Sequence, residues 1–216
     1  KVSYFSEAGI GDGYKRYEVW LNSLTTKGNN FDEIYKECVI PSPCWMVYKT
    51  DFDKCNGFTP NTYPEDYDLA FRFFKYGLKC IPTNEVLHLW RDYPLRTSRI
   101  DVNYLENSFI ELKVNYFLEL SYQKEKKLIV WGAGTKGKKI AQLLINKKIS
   151  FDWICDNPKK IDKLIYNQTL KPIDYLSSVK NPQCIISVAN QEAQLGIKQF
   201  LKSYNMNALN DYFFFC

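Results

Sequence analysis

Apolar residues recur at helical spacing in two segments of the first 124 positions. In the first segment, Leu69, Phe73 and Phe74 predict a helix that begins near Glu65 and stops at Gly77. The second has apolar residues three and four positions apart, namely Leu105, Phe109, Leu112, Tyr116 and Leu120. Between the two helices, the pattern predicts a short extended segment at Leu78–Pro82 and a strand at Val86–Arg91.

The pattern changes after a short charged linker at residues 123–127. A buried strand is predicted at Leu128–Trp131, a helix at Lys138–Ile145, a second strand at Phe151–Cys155 and another at Cys184–Ala189. Strands that alternate with helices predict a parallel sheet. We therefore predict an α/β protein of two domains, residues 1–124 with mixed strands and helices and residues 125–216 with a small Rossmann-like fold.

Composition favours two packed cores in a reducing compartment. Hydrophobic residues make up 45% and aromatic residues 16% of the chain, and no apolar run approaches the roughly 20 residues that span a bilayer. The seven cysteines have no CxxC spacing, which indicates a reduced cytoplasmic protein. With one histidine, His88, neither a zinc cluster nor a Ser-His-Asp triad is predicted, and His88 is expected to be packed within its strand.

Charge is distributed unevenly between the two halves. Residues 1–124 carry 15 Lys and Arg against 17 Asp and Glu, and residues 125–216 carry 14 lysines against 7 acids. The basic half has no arginine and no evident aromatic platform, so nucleic acid is not a predicted partner. A solvated lysine face is the simplest interpretation, and weak attraction to anionic membrane surfaces is the alternative.

Three acids crowd the start of the first predicted helix: Glu65, Asp66 and Asp68. A helix N-terminus stabilises carboxylates through its dipole and free N–H groups. Such a carboxylate can accept a proton from a hydroxyl group or orient it. The alternative is an acidic cap on a surface helix.

The first strand of the second domain runs directly into a G-x-G-x-x-G loop. An acid, Asp156, follows the next strand about 20 residues on, as in dinucleotide-binding folds. The predicted ligand contacts are Gly132, Gly134, Lys136, Gly137 and Asp156. A dinucleotide or nucleotide is the candidate ligand, with its phosphate at the helix N-terminus. Alternatively, the glycines only form a tight strand-to-helix turn.

Several segments together resemble a family 2 glycosyltransferase of the GT-A fold. They are residues 16–26 (RYEVWLNSLTT), 37–43 (ECVIPSP), 63–72 (YPEDYDLAFR) and 90–99 (WRDYPLRTSR). They are most similar to a bacterial subgroup that carries an extra Rossmann-like domain at the C-terminus. The resemblance covers essentially the whole chain and implies that residues 1–124 form the acceptor-side part of the transferase domain.

The resemblance also implies an activity and roles for individual residues. The family moves a sugar from a nucleotide-sugar to a saccharide or lipid-linked acceptor, in bacterial polysaccharide or glycolipid synthesis, here with inversion. Asp66 would be the catalytic base and Glu65 its acidic neighbour. Six further residues would contact substrate. Asp68 would orient substrate groups, and Trp45 and Trp90 would stack on a sugar ring. Arg91, Arg96 and Arg99 would bind phosphate.

The sequence departs from the family pattern in several places. The Asp-x-Asp spelling at Asp51–Asp53 lies too near Asp66 to be the family's metal motif, and Asn56 replaces the first glycine of a Gly-Gly-Phe turn. Tyr93 stands where many relatives have a histidine. The chain starts at Lys1 without methionine, so it is interpreted as the C-terminal portion of a longer enzyme. We expect the donor site and a divalent metal, Mg or Mn, only in the full-length enzyme, and no activity from the fragment alone.

Two other functions remain open. The chain could be an NAD- or nucleotide-binding regulatory module without transferase chemistry, or an interaction domain with no chemistry. The expected location is cytoplasmic, at the inner face of the membrane if association there is peripheral. The donor sugar, the acceptor and the oligomeric state do not follow from the sequence.

Overall fold

A computed structural model describes residues 1–60, 62–104 and 109–216. The chain is an α/β protein that divides into two compact units. Unit 1 comprises Lys1–Ile34 and Cys38–Asn107, and unit 2 comprises Tyr35–Glu37 and Ser108–Cys216.

Unit 1 contains two strands that pair in parallel, β1 at Val2–Phe5 and β2 at His88–Arg91, in the register Val2↔His88 to Phe5↔Arg91. Its helices are α1 at Asp12–Lys27, α2 at Lys49–Lys54, α3 at Glu65–Lys75 and α4 at Thr97–Ile100. Short 3₁₀ turns occupy Asn30–Glu33, Ser42–Cys44 and Val102–Tyr104.

Side chains of α1 occupy one edge of β1. The Asn22 side chain accepts from Val2 N and donates to Val2 O, both at 2.8 Å, and Glu18 accepts from Tyr4 N. These bonds satisfy backbone groups that would otherwise pair with another strand. The helix thus takes the place of a neighbouring strand along this edge.

The core of unit 1 is built around α3. Five of its hydrophobic residues are buried, namely Tyr67, Leu69, Ala70, Phe71 and Phe73. The helix ends where the sequence predicts, since Gly77 has a φ of 72° and its N–H donates to Phe74 O. This left-handed conformation suits glycine and allows Leu78 N to bond Phe73 O.

Unit 2 has a six-stranded sheet in the order β5-β6-β4-β3-β7-β8. The strands are β3 at Lys127–Trp131, β4 at Asp152–Cys155, β5 at Leu164–Ile165, β6 at Gln168–Pro172, β7 at Pro182–Ile186 and β8 at Tyr212–Phe214. All neighbours pair in parallel except β5 with β6. As predicted, Leu128–Trp131 is central, because Val130 pairs with both Trp153 and Ile185.

Helices pack on the sheet of unit 2 through apolar stripes. They are α5 at Ile110–Leu120, α6 at Thr135–Asn146 and α7 at Gln191–Ser203. Ile197 and Leu201 of α7 join a core cluster with Ile129 and Trp131. On α5, Phe117 stacks edge-on against Phe213 of β8, with ring centroids 5.0 Å apart. Since Phe213 alternates with the β8 residues that face the α7 cluster, α5 lies on the opposite face of the sheet.

The position of α5 corrects the predicted domain boundary. The sequence pattern placed this helix at the end of the first domain and the boundary at residue 124, whereas the packing assigns α5 to unit 2. Its apolar spacing identified a helix but not its packing partner, which Tyr35, Phe213 and Phe215 supply. Leu105, the first position of the predicted helix, lies outside the described residues.

Most other predicted elements are confirmed with small shifts. The second strand of unit 1 covers only His88–Arg91, α6 begins at Thr135 and not Lys138, and β7 stops at Ile186. The predicted extended segment Leu78–Pro82 is not part of any strand. Within the described part of the chain, no helix has the length and apolar content to cross a membrane.

Candidate functional site

The acidic start of α3 carries the candidate catalytic pair. Pro64 is the N-cap residue in an extended conformation, and the first turn contains Glu65, Asp66 and Asp68. Proline suits this place because it has no N–H to leave unsatisfied, and the acids favour the positive end of the helix dipole. Local sequence therefore accounts for where the helix begins and for its charge.

Asp66 is held against the turn Ser42–Cys44. Its Oδ2 accepts a hydrogen bond from Ser42 N at 3.0 Å. Burial raises the pKa of the Asp66 carboxyl, the Ser42 N–H lowers it by a smaller amount, and the charge of Glu65 raises it further. The result is a carboxylate that takes up a proton more readily than an exposed aspartate does.

Glu65 has a partner that the sequence pattern did not predict. The Tyr104 hydroxyl donates to Glu65 Oε2 at 2.7 Å. Burial, followed by this hydrogen bond and the charges of Glu65 and Asp66, raises the pKa of Tyr104, so the phenol stays a donor. No local signal in the sequence could have indicated this contact, because the two residues are 39 positions apart.

Asp68, which was predicted to orient substrate groups, has a partner within its own helix. Its side chain is 9% exposed and forms an ion pair with Arg72, whose Nη2 lies 2.7 Å from Asp68 Oδ2. The same guanidinium donates to the carbonyl oxygens of Cys55 and Gly57. Asp68 therefore orients Arg72, which in turn holds the turn at Cys55–Gly57.

The two candidate tryptophans lie in different aromatic groups. Trp45 packs against Phe52, Phe58 and Phe73, with ring centroids 5.5–6.3 Å apart. Trp90 stacks on Tyr4 at 5.1 Å with an interplanar angle of 10°. Trp45 also packs against a core cluster of unit 1 that contains Cys55, Leu69 and Phe73.

The three arginines, which were predicted to bind phosphate, differ in their contacts. The guanidinium of Arg96 lies 5.0 Å from the Trp90 ring, and its side chain is only 12% exposed. Asp92, which is buried, lies 3.6 Å from Arg96 Nη1 and 2.7 Å from Arg99 Nη2. Arg91 is exposed and lies 3.5 Å from Glu7. The sequence pattern did not single out Asp92, which offsets the charge that would attract phosphate.

No group of three or more His, Cys, Asp and Glu side chains within the described residues is arranged to hold a metal ion. Asp53 of the Asp-x-Asp spelling instead pairs with Lys49 on the exposed side of α2, at 2.7 Å. The residues that the structure describes therefore do not fit a divalent metal such as Mg or Mn, which was expected only in the full-length enzyme.

In unit 2, two of the three motif glycines are required by packing. A Cβ on Gly137 would lie 2.0 Å from Gly132 O, and one on Gly132, where φ is 110°, would lie 2.6 Å from Ser187 Oγ. Gly134 differs, because a Cβ there would meet no atom within 4 Å. Its conformation is extended, so neither strain nor packing requires a glycine.

Gly134 is the N-cap residue of α6, and no side chain caps that end of the helix. Two lysines lie nearby. Burial raises the pKa of the Cys216 thiol, and the charge and hydrogen bonding of Lys136 lower it by a smaller amount. Lys160, which the sequence pattern did not single out, donates to Ala133 O at 2.8 Å. Asp156 follows β4 and is exposed, as the dinucleotide pattern predicts.

Comparison with known proteins assigns no family. No protein-family model and no curated protein matches the sequence. Among solved structures, the crystal structure of RSP, a Rex-family repressor, is similar at 18% identity and a TM-score of 0.35. The match covers 48% of this chain and 58% of that one, so the chain spans less than two thirds of that protein. A likeness at this level carries no functional argument.

Proposed function

We propose that unit 1 is the acceptor-side part of a family 2-like, inverting glycosyltransferase, with Asp66 as the catalytic base. The observation that carries the proposal is the state of the Asp66 carboxylate, which burial makes more basic while Ser42 N holds it in place. A general base must be oriented toward its substrate and have a pKa nearer to neutrality than that of an exposed aspartate.

In this mechanism Asp66 removes the proton from an acceptor hydroxyl as that oxygen attacks the anomeric carbon of a nucleotide-sugar. The bond from that carbon to the nucleoside diphosphate breaks in the same displacement, and the diphosphate leaves with the bonding electrons. Glu65, held by Tyr104, supplies a second negative charge that keeps the pKa of Asp66 raised. Since the described residues do not fit a metal ion, no step here is assigned to Mg or Mn. The acceptor, a saccharide or a lipid-linked sugar, approaches the 3₁₀ turn at Ser42–Cys44.

The decisive experiment is sugar transfer by the full-length gene product, measured for wild type and Asp66→Asn. An amide cannot accept the proton, so we expect kcat to fall about 10²- to 10⁴-fold while donor affinity is nearly unchanged. Asp53→Asn is the matched control, because Asp53 is an exposed acid of the same unit. Near-normal turnover by Asp66→Asn would eliminate Asp66 as the base.

A second candidate function is favoured by the open space at Gly134. We propose that unit 2 binds a nucleotide or dinucleotide in a regulatory role, with phosphate at the backbone amides of Gly134–Gly137. Thermal shift with NAD, NADP, nucleoside diphosphates and nucleotide sugars tests this. A stabilisation that Gly134→Val abolishes would support it, with Gly196→Val, also at an open position, as control. If none of these ligands shifts the melting temperature, the glycines serve only to form the tight turn between β3 and α6.

We propose a cytoplasmic location, at the inner membrane face if the acceptor is lipid-linked. The supporting observation is that none of the seven cysteines, all of which the structure describes, is joined in a disulfide, which fits a reducing compartment.

A further inference from the structure

The two ends of the parallel strands in unit 2 differ in charge. Since β3, β4, β6, β7 and β8 run in the same direction, the segments that enter them lie at one edge of the sheet and the segments that leave them lie at the opposite edge. We call these the amino edge and the carboxyl edge. The glycine loop follows β3 and lies at the carboxyl edge, whereas α6 and α7, which return the chain to the start of a strand, end at the amino edge.

Five exposed lysines lie at the amino edge. They occur before β3, at the end of α6, before β7 and in the last turn of α7: Lys124, Lys147, Lys148, Lys180 and Lys202. Among the residues that the structure describes, none of the five forms an ion pair. We call this set the basic edge. Its charges are available to an anionic partner outside the molecule.

The acids of unit 2 do not neutralise the basic edge. At the amino edge, Asp152 is already paired with Lys127, at 3.2 Å. Asp211 is paired with Lys126, at 2.7 Å. Glu125 is an exposed acid there. Three other exposed acids follow strands and lie at the carboxyl edge: Asp156, Asp174 and Glu192. The amino edge therefore carries a net positive charge.

Two exposed tyrosines lie at the same edge. Tyr166, in the turn between β5 and β6, is 46% exposed, and Tyr204, the C-cap residue of α7, is 42% exposed. Each ring also has an aromatic neighbour, since Tyr166 stacks on Trp153 and Tyr204 packs against Phe200. Tyrosine is enriched where lipid head groups meet water, because its ring is apolar and its hydroxyl polar. A nucleic acid would instead favour arginine and open aromatic platforms.

We propose that the basic edge of unit 2 docks on an anionic lipid surface. Clusters of about four to eight basic residues recognise acidic head groups, and each lysine near such a surface strengthens binding about fivefold. Tyr166 and Tyr204 contact the head-group layer. In this orientation the carboxyl edge, with Gly134, faces away from the lipid and stays open to a nucleotide.

This inference rests on the proposed location at a membrane face and gives it a surface. It does not depend on sugar transfer, because no residue of the basic edge belongs to the Glu65–Asp66 site. Failure of lipid binding would therefore leave the transferase proposal untouched, and loss of transfer in Asp66→Asn would not affect lipid binding.

The experiment is flotation of the 216-residue chain with vesicles, either of phosphatidylcholine alone or with about one third phosphatidylglycerol. We expect the acidic vesicles to bind at least about tenfold more tightly than the neutral ones. This binding should be lost when salt rises from about 0.1 M to about 1 M, since the screening length falls from about 10 Å to about 3 Å.

A pair of double variants locates the contact. Lys147→Gln with Lys148→Gln should weaken binding to the acidic vesicles about tenfold or more, because two charges of the basic edge are lost. The matched control is Lys138→Gln with Lys159→Gln. It removes the same charge from exposed lysines at the carboxyl edge and should change binding by no more than about twofold.

Several results would overturn the proposal. Absence of binding to acidic vesicles at low salt would leave the lysines as a solvated face, and equal binding to neutral vesicles would exclude recognition of charge. An equal loss in the control pair would assign the attraction to net charge and not to this edge. Displacement from the vesicles by single-stranded RNA at equal phosphate concentration would assign the surface to nucleic acid. The comparisons of lipid, salt and RNA use wild-type protein, so they decide the matter even if a variant fails to fold.

Discussion

The N-terminal turns of α3 in unit 1 and α6 in unit 2 both contain residues that the sequence pattern singled out, but in different chemical form. The α3 turn presents side chains, the carboxylates of Glu65, Asp66 and Asp68. The α6 turn instead contains three glycines, which have no side chain: Gly132, Gly134 and Gly137. In each turn, part of the motif is required by the fold and part is available for a ligand.

The division follows from what lies next to each position. Asp68 accepts from Arg72, which itself donates to the carbonyls of the turn at Cys55–Gly57. Asp66, two residues earlier, accepts backbone N–H groups. Gly137 packs on the carbonyl of Gly132, while Gly134 faces open space. A motif residue is therefore a functional candidate only where the fold does not already account for it.

The largest effect is expected from Asp68→Ala. It leaves the charge of Arg72 buried without its carboxylate, which costs about 3–5 kcal/mol of unfolding free energy for such pairs. Asp53→Ala breaks the exposed pair with Lys49 at the same i,i+4 spacing and should cost about 1 kcal/mol or less. Urea denaturation combined with hydrogen exchange of α3 measures both. Equal losses would mean that Asp68 is not required by the fold.

A similar contrast is expected between two glycines of the α6 turn. Gly137→Ala places a methyl group against Gly132 O and should destabilise unit 2 by about 1–3 kcal/mol or more. Gly134→Ala should change stability by no more than about 0.5 kcal/mol, because the conformation suits alanine and the space is open. Hydrogen exchange of β3 and α6 is the measurement. A large loss at Gly134 would remove the reason to assign it to a ligand.

The smallest effect is expected from Asp66→Asn and should depend on pH. Burial raises the pKa of Asp66, so the folded state binds the proton more tightly than the unfolded chain, whose pKa is about 3.9. Ionisation therefore costs stability as pH rises through the folded pKa, and this cost is absent below the unfolded pKa. Asparagine does not ionise and so avoids this cost. The melting temperature of Asp66→Asn should therefore lie above that of wild type at neutral pH, and this difference in melting temperature should shrink as the pH falls.

Asp53→Asn serves as the control, because Asp53 is an exposed acid of the same unit. Melting temperatures measured from acid to neutral pH decide the outcome. A difference between Asp66→Asn and wild type that is independent of pH would show that the carboxylate is not ionised at a cost in the folded protein.

In unit 2, three strands and α6 were predicted because their signals are local, whereas β5, β6, β8 and α7 were not predicted. A continuous apolar run, a glycine loop and a following helix identify β3 and α6, and parallel pairing follows from the alternation of strands and helices. Unit 1 was predicted less completely. The helix α3 was found from its periodicity and its terminal glycine, but β1 and α1 were not predicted.

Properties that depend on neighbours along the chain therefore follow from the sequence by itself: the start and stop of α3, the central strand of unit 2, and the acidic and glycine motifs. Contacts between distant positions do not. Tyr104 with Glu65, Asp92 with Arg99, and α5 in unit 2 all depend on packing that brings separate segments together. The roles of Asp66 and Asp68 diverge for the same reason, since burial and the identity of the facing group set the state of each carboxylate.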